Sequence, residues 1–344
     1  MAKRPTIVVT GGAGYIGSHE LLALRDSGWP VVAVDNLVTG VAGLVPEDVK
    51  LVQADCGDAE RMCTLLAEHD AGAVMHLAAS TLVPESVSDP MKYYLNNTTN
   101  TASLIDICIR SGVEMFIYSS SAAVYGEPDV AFVSEEQPPR PVSPYGRSKL
   151  MGEQILEDAA SAHPFRYVAL RYFNVAGADP AGRSGQATPN ATHLIKVACE
   201  TAAGARPFME IYGTDYDTPD GTCIRDYVHV TDLADAHMAA LRHLMSGSDS
   251  CVLNCGYGRG HSVLDVIAAV REVAGVDIDA REAARRPGDV AQLVCTSQRI
   301  REQLGWSPKH DDLATMVQTA CEWECRLRDG TAFVKQRRNR PPDG

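Results

Sequence analysis

The 344-residue sequence has no apolar run long enough to cross a bilayer, and the residues after Met1 (Ala2-Lys3-Arg4-Pro5, then a short apolar stretch ending in glycines) form no secretory signal, so the expected setting is the cytoplasm, with no membrane partner. It is short of positive charge: 31 Lys and Arg face 44 Asp and Glu, a net charge of −13 that repels nucleic acid. No repeat, low-complexity block or long linker occurs. The ten cysteines lack the spacing of a metal site. Cys251/Cys255 and Cys321/Cys325 are C-x3-C pairs without a matching partner pair, so no metal is expected, and in the absence of an export signal the thiols are read as small apolar residues.

The first half alternates short β-branched runs with amphipathic stretches. Strands are expected at Thr6–Thr10, Val31–Asp35, Lys50–Asp55, Ala73–Ala78, Met115–Ser121 and Tyr167–Asn174, and helices at Ser18–Ser27, Ala59–His69, Asn96–Arg110 and Tyr145–Ala160. This order predicts an α/β fold, a Rossmann-type doubly wound parallel sheet over residues 1–175. From Gly177 the Gly, Pro, Asp and Thr clusters (Gly177–Pro189, Gly213–Gly221) predict a smaller α/β substrate-binding domain over 176–344, with a segment near 226–245 returning to the first. The basic tail Lys335–Gly344 reads as a frayed terminus.

The first strand runs into Gly11-Gly12-Ala13-Gly14-Tyr15-Ile16-Gly17. Glycines at 11, 14 and 17 permit a tight turn and close approach of backbone to a pyrophosphate, which the amides and dipole of the following helix then face. Asp35 ends strand two, placed to accept ribose hydroxyls. Its charge opposes a 2′-phosphate and Asn36–Gly40 holds no arginine, so the cofactor is NAD rather than NADP. Asp55 is placed for the adenine amino group or, alternatively, for a helix N-cap. Leu77-Ala78-Ala79 is read either as a floor under the cofactor or as tight packing.

Tyr145 and Lys149 stand four apart and so share a helical face. A tyrosine of pKa ~10 is a poor base at neutral pH, and a neighbouring ammonium lowers that value. Ser121, ending strand five, is placed to hydrogen-bond the same substrate oxygen. Arg225 and Arg286 suit bidentate binding of a diphosphate, or else form ion pairs with Asp226 and Asp289.

The chain resembles the extended short-chain dehydrogenase/reductases, nearest their nucleotide-sugar 4-epimerases, through Gly11–Ser18, Asp35-Asn36-Leu37, Tyr93–Asn97, Ser119–Gly126, Ser143–Lys149, Arg171–Asn174, Arg225–Val230 and Arg285–Asp289. The resemblance implies interconversion of UDP-galactose and UDP-glucose. Tyr145 takes the proton of the sugar 4-hydroxyl, Lys149 holds the nicotinamide ribose, and Ser121 bonds the substrate oxygen. Tyr15, Ile16, Asn36, Asp55, Cys56, Leu77, Ala78, Ala79, Asn97, Ser119, Tyr172 and Phe173 are implied on the cofactor side. Asn174 and Arg225 are implied on the nucleotide sugar, Tyr227, Arg286 and Asp289 around uridine and ribose, and His193-Leu194 and Glu210-Ile211-Tyr212 about the uracil.

Two positions depart from the pattern. Thr81 stands where some members carry a lysine, and Leu293 where a large aromatic walls off the space beside the sugar C2. A related 4,6-dehydratase needs an Asp-Glu pair after Ser121; Ala122 and Ala123 stand there and move no proton, which also sets this chain apart from that reading and its decarboxylase variant. A non-catalytic NAD-sensing protein of the same fold is expected to lose the Tyr/Lys pair, which is present. The resemblance further implies a homodimer through the helix carrying Tyr145, with its stripe Met151, Ile155 and Ala159, and the helix around Leu104–Ile109. The alternative is burial of both within one subunit.

Overall fold

The structure, a computed structural model, describes residues 4–189, 191–286 and 288–333; the expectation for the basic tail lies outside them. Its first part runs β1 Thr6–Thr10, α1 Tyr15–Asp26, β2 Val31–Asp35, β3 Lys50–Gln53, α2 Ala59–Glu68, β4 Ala71–His76, α3 Val83–Ser88, α4 Pro90–Tyr93, α5 Asn100–Arg110, β5 Met115–Ser121, α6 Pro144–Ala162 and β6 Arg166–Tyr172. It continues β7 Asn174–Ala176, α7 Leu194–Ala202, β8 Met209–Tyr212, β9 Ile224–His229, α8 Val230–Met245, β10 Cys251–Cys255, β11 Gly260–Ser262, α9 Val263–Ala274, β12 Ala280–Ala283, β13 Gln292–Leu293, α10 Gln298–Leu304 and α11 Leu313–Arg328.

Seven parallel strands form the large sheet, ordered β10-β6-β5-β4-β1-β2-β3. Both faces are covered, which explains why the strands read as continuous apolar runs. On β1, Ile7 and Val9 pack into the core shared with α1 and α8, while Val8 packs into the opposite core with α2, α5 and α6. Strand order reverses between β1 and β4, which fixes the ligand crevice at their carboxyl ends. Two smaller sheets, β11-β9-β13 with β7 on β9, and β12-β8, lie beyond it. The sheet's outermost strand, β10, follows the stretch near 226–245 that sequence reading singled out as the return.

Among the boundaries that differ from expectation, β4 runs Ala71–His76 rather than Ala73–Ala78 and α1 begins at Tyr15 rather than Ser18; three others have a clear local reason. The strand expected to reach Asp55 stops at Gln53, because the Asp55 carboxylate turns back to accept the Gly57 amide at 2.8 Å. The helix expected from Asn96 begins with a wide π-turn over Tyr94–Thr99, where Asn97 bonds sideways. The strand expected through Asn174 ends at Tyr172, and Asn174 opens β7, paired with β9. The proposed contact stripe on α6 is largely used internally: Ile155 and Ala159 pack against the core below, Leu104, Ile105 and Ile107 of α5 are buried, and Met151 is exposed.

Candidate active site

The phosphate loop is shaped by contacts that only hydrogen fits. Gly11 has φ +70°, and a Cβ on it would lie 2.7 Å from the Ala78 amide, so β1 and β4 deliver their loops into direct contact. A Cβ on Gly17 would lie 2.0 Å from the Gly11 carbonyl, which lets α1 cross the loop closely. Gly14 is the N-cap of α1 and no side chain caps it, leaving the helix amides open to a ligand. Asp35 accepts the amides of Ala13 (3.0 Å) and Leu37 (2.8 Å), one per oxygen, and each oxygen keeps a lone pair for a ribose hydroxyl; burial raises its carboxyl above the ordinary range. This cradle fits NAD. Leu77, Ala78 and Ala79 are half-buried at the end of β4, and Ala78 forms the near wall of the Gly11 contact.

Several residues expected on the cofactor turn their side chains elsewhere. The Tyr15 hydroxyl bonds the Gly177 carbonyl at 2.6 Å and Ile16 packs on the core, so only their main chains face the loop. Cys56 is buried and its thiol is pushed up to about 12, chiefly by burial. Tyr172 reaches across the core to His237, because β6 presents alternate side chains to opposite faces, whereas Phe173 packs with Ala122 and Leu293. Asn97 has no donor left for a ligand: its Nδ2 bonds the Ser80 carbonyl (2.9 Å) and the Ser148 hydroxyl (3.1 Å), while Oδ1 accepts the Ser80 amide (2.8 Å). It ties the loop after β4 to α6. Asp55 is exposed and gathers Asn36 (3.2 Å) and Asn100 (3.1 Å); the N-cap of α2 is Asp58, not Asp55.

Tyr145, Ser121 and Lys149 come together at the end of β5. Ser143 caps α6 through the Gly146 amide (3.1 Å), and Pro144 takes the first helical position. Gly146 lets the helix approach the turn after Ser121: a Cβ there would lie 2.4 Å from the Ala123 carbonyl. This brings the Ser121 side chain up to Tyr145, where it opposes the rise in the phenol's pKa, and the Tyr145 ring stands edge-on to Tyr93 at 6.3 Å. Lys149, 2% exposed, donates to the Ser119 carbonyl at 2.7 Å and lies 5.1 Å from the Tyr118 ring centre. Burial drives its ammonium down to about 7 and pushes the Tyr145 phenol up.

Sequence reading overlooked the brace behind this trio. Glu153, two turns beyond Tyr145 on α6, holds Arg171 of β6 (2.7 and 2.9 Å) and the Ser120 hydroxyl, and Arg171 also bonds the Tyr125 hydroxyl (2.8 Å). The available signal was Glu153 at i+8 from Tyr145, on the same helical side.

The second group stands on β9, β13 and the loop before β13. Arg225 pairs in register with Leu293. Asp289 lies between two guanidiniums, 2.9 Å from Arg286 Nε and 3.8 Å from Arg225 Nη2, so Arg225 does not pair with Asp226. Asp226 is instead buried, accepting the amides of Tyr257 and Gly258. Arg286 stacks 4.6 Å over Tyr212, whose hydroxyl bonds Glu210. Ile211 points into the core, as its place on β8 between outward Glu210 and Tyr212 requires, and Tyr227 is also buried there. Asn174 is exposed at the start of β7. His193 precedes α7, 3.4 Å from Gln186, and Leu194 is half-buried. Leu293, Phe173 and Ala122 share one apolar cluster, which joins this group to the Tyr145 trio. Among the described residues no cluster of His, Cys, Asp or Glu is arranged to hold a metal, and no helix is long and apolar enough to cross a membrane.

A glycine-crossed phosphate loop beside a Tyr–Ser pair backed by a buried lysine defines a dinucleotide-dependent enzyme that moves a proton at a substrate hydroxyl. The chain belongs to the NAD dependent epimerase/dehydratase family, whose profile matches residues 7–256. It is 56% identical over 326 residues to the UDP-glucose 4-epimerase of Azospirillum brasilense, covering 95% of this chain and 94% of that one. The structure of UDP-glucose 4-epimerase from Brucella ovis in complex with NAD superposes with a TM-score of 0.90 at 42% identity, over 93% of this chain and 98% of that one. The UDP-Glc/GlcNAc 4-epimerase of Campylobacter jejuni gives 0.81 at 45%, over 94% and 99%.

Proposed function

We propose that this chain interconverts UDP-galactose and UDP-glucose, with NAD held on the Gly11–Gly17 loop and Asp35. When bound, NAD accepts the hydride from sugar C4 and returns it to the other face of the 4-keto sugar. Tyr145 takes the 4-hydroxyl proton and gives it back, Ser121 donates a hydrogen bond to the same oxygen, and Lys149 supplies the cation that stabilises the phenolate. The convergence of Ser121, Tyr145 and Lys149 at the end of β5 carries this assignment, since it gathers two hydroxyls and a cation about one substrate oxygen. Ala122 and Ala123 next to Ser121 cannot move protons, so elimination of water has no acid–base pair.

Arg225 and Arg286 bind the diphosphate side with Asp289 orienting both, and Asn174, Tyr227, His193, Leu194, Glu210, Ile211 and Tyr212 frame the nucleotide, Ile211 through its main chain. In this reading 1–175, with the return through β10, bind the cofactor and the rest of 176–344 binds the nucleotide sugar. A homodimer through α5 and α6 belongs to the same reading, with Met151 its exposed apolar side chain; a monomeric mass by light scattering at micromolar concentration removes it. The activity itself is tested by incubating the purified protein with UDP-galactose and no added cofactor. Proton NMR is expected to show UDP-glucose growing to equilibrium, and no new anomeric signal would overturn the assignment.

A further inference from the structure

Cys199 and Cys321 are 122 residues apart, yet their sulfurs lie 2.8 Å from each other, inside van der Waals contact. Cys199 is on α7 and buried; Cys321 is on α11 and half-buried, the more accessible residue of the pair. The two helices also meet through Lys196, whose ammonium bridges Glu200 (3.2 Å) on its own helix and Glu324 on α11. The surrounding contacts therefore hold the backbones in place while a sulfur moves by about 0.8 Å, the distance separating contact from a bond. The other eight cysteines have no such partner among the described residues.

We propose that Cys199 and Cys321 are a dithiol modification site that closes to a disulfide by exchange with low-molecular-weight disulfides such as glutathione disulfide. The Cys321 thiolate attacks one sulfur of the reagent, forming a mixed disulfide and releasing one glutathione thiolate. Cys199 then loses its proton to water and attacks the Cys321 sulfur, expelling the second glutathione. Two protein thiols and one disulfide become one protein disulfide and two thiols, and no other oxidant enters. The order follows from position. Its hydrogen bond with Cys321 and burial together hold the Cys199 thiol well above the ordinary range, so the more accessible Cys321 reacts first.

The bond would tie α7 to α11. α7 starts beside His193, and α11 holds the loop at Gln186 through Trp323, whose indole donates to the Gln186 carbonyl at 3.2 Å. Closing a loop of this length removes much chain entropy from the unfolded state, which corresponds to a rise in Tm of about 5 °C for a chain of this size.

The test incubates the full-length protein with glutathione disulfide, blocks remaining thiols with iodoacetamide and maps the digested peptides. Expected is one linked pair, Cys199 to Cys321, with the intact mass lower by two hydrogens, a higher Tm, and full reversal by dithiothreitol. C321S abolishes the link and the Tm shift, and because that position is half-exposed the variant keeps the test valid if C199S fails to fold. Complete alkylation of both residues after oxidation overturns the proposal. So does glutathione retained on Cys321 without closure, or a reaction confined to the exposed Cys325.

Discussion

The Glu20 carboxylate lies 2.8 Å from Nδ1 of His237, and both side chains are sealed from solvent. The imidazole Nδ1 also faces the Leu233 carbonyl at 2.9 Å, and Nε2 meets the Tyr172 hydroxyl. No hydrogen bond of good geometry reaches either Glu20 oxygen among the described residues, so the His237 contact is one of charge. Burial raises its carboxyl above the ordinary range; burial opposes the His237 proton, yet the carboxylate holds it on and the net direction is upward. A helix that begins at the phosphate loop is thus pinned to α8 by one ion pair.

Removing one member of this pair leaves the other's polar group stranded. His237→Leu is expected to lower stability by about 3–5 kcal/mol, while the double variant Glu20→Leu/His237→Leu recovers most of that loss. Urea unfolding of the four proteins measures the coupling. Additive losses would show that the two side chains do not act together.

Tyr145→Phe keeps the ring against Tyr93 and removes only the hydroxyl. Turnover of UDP-galactose should fall by ~10²–10⁴-fold, with nucleotide-sugar binding by calorimetry unchanged. Wild-type kcat in this variant would end the assignment of Tyr145 as base.

Lys149→Met bears on pH in two ways. Loss of the ammonium raises the pKa of the phenol, so the alkaline rise of kcat/KM should move to higher pH, by about 1–2 units. The folded pKa of Lys149 is about 7 against an ordinary 10.5, so between those values the unfolded chain binds more protons and wild-type stability climbs with pH. The penalty is fully present below about 7 and gone above about 10.5. Lys149→Met removes it, and at pH 7 should be the more stable protein by a few kcal/mol, with the gap closing toward pH 10. A constant gap across that range would refute the buried-ammonium account.

Leu293 is buried beside Phe173 and Ala122 and pairs in register with Arg225, so the proposed function puts it beside the sugar ring. A pocket rejects a larger substrate by overlap, whereas lost apolar contact shifts preference by only ~1–3 kcal/mol. UDP-galactose and UDP-glucose should be preferred, with weak turnover of UDP-N-acetylgalactosamine. Leu293→Tyr should abolish that side activity and Leu293→Ser raise it, read as kcat/KM for both substrates. Equal ratios in all three proteins would place Leu293 away from C2.

The elements that hold the loop and the trio were legible in sequence because their cues are local: a β-branched run ending in spaced glycines, and a Tyr and Lys one helical turn apart. Side-chain direction was less so. Tyr172 lies on a strand buried on both faces, where apolar residues succeed one another and no alternation marks which way a ring points. The family resemblance implies Asn97 as a cofactor-side contact; the π-turn that directs its side chain to Ser80 and Ser148 has no sequence signature of its own. The ten cysteines read as small apolar residues, since the nearest in sequence, Cys251/Cys255 and Cys321/Cys325, suit no metal site; the close contact joins Cys199 to Cys321 across two helices that only folding brings together.

The position of β10 at the sheet's edge has a bearing on biosynthesis. When the ribosome has released β6, five register positions from Val168 to Tyr172 still await their partner, which lies almost eighty residues downstream at Cys251–Cys255. Until then a nascent chain carries an open strand edge rich in valine, leucine and tyrosine, the kind of surface that recruits other chains. Translation halted between residues 175 and 250 should therefore release an insoluble product, although every residue of the phosphate loop and the Tyr–Lys–Ser trio has already been made.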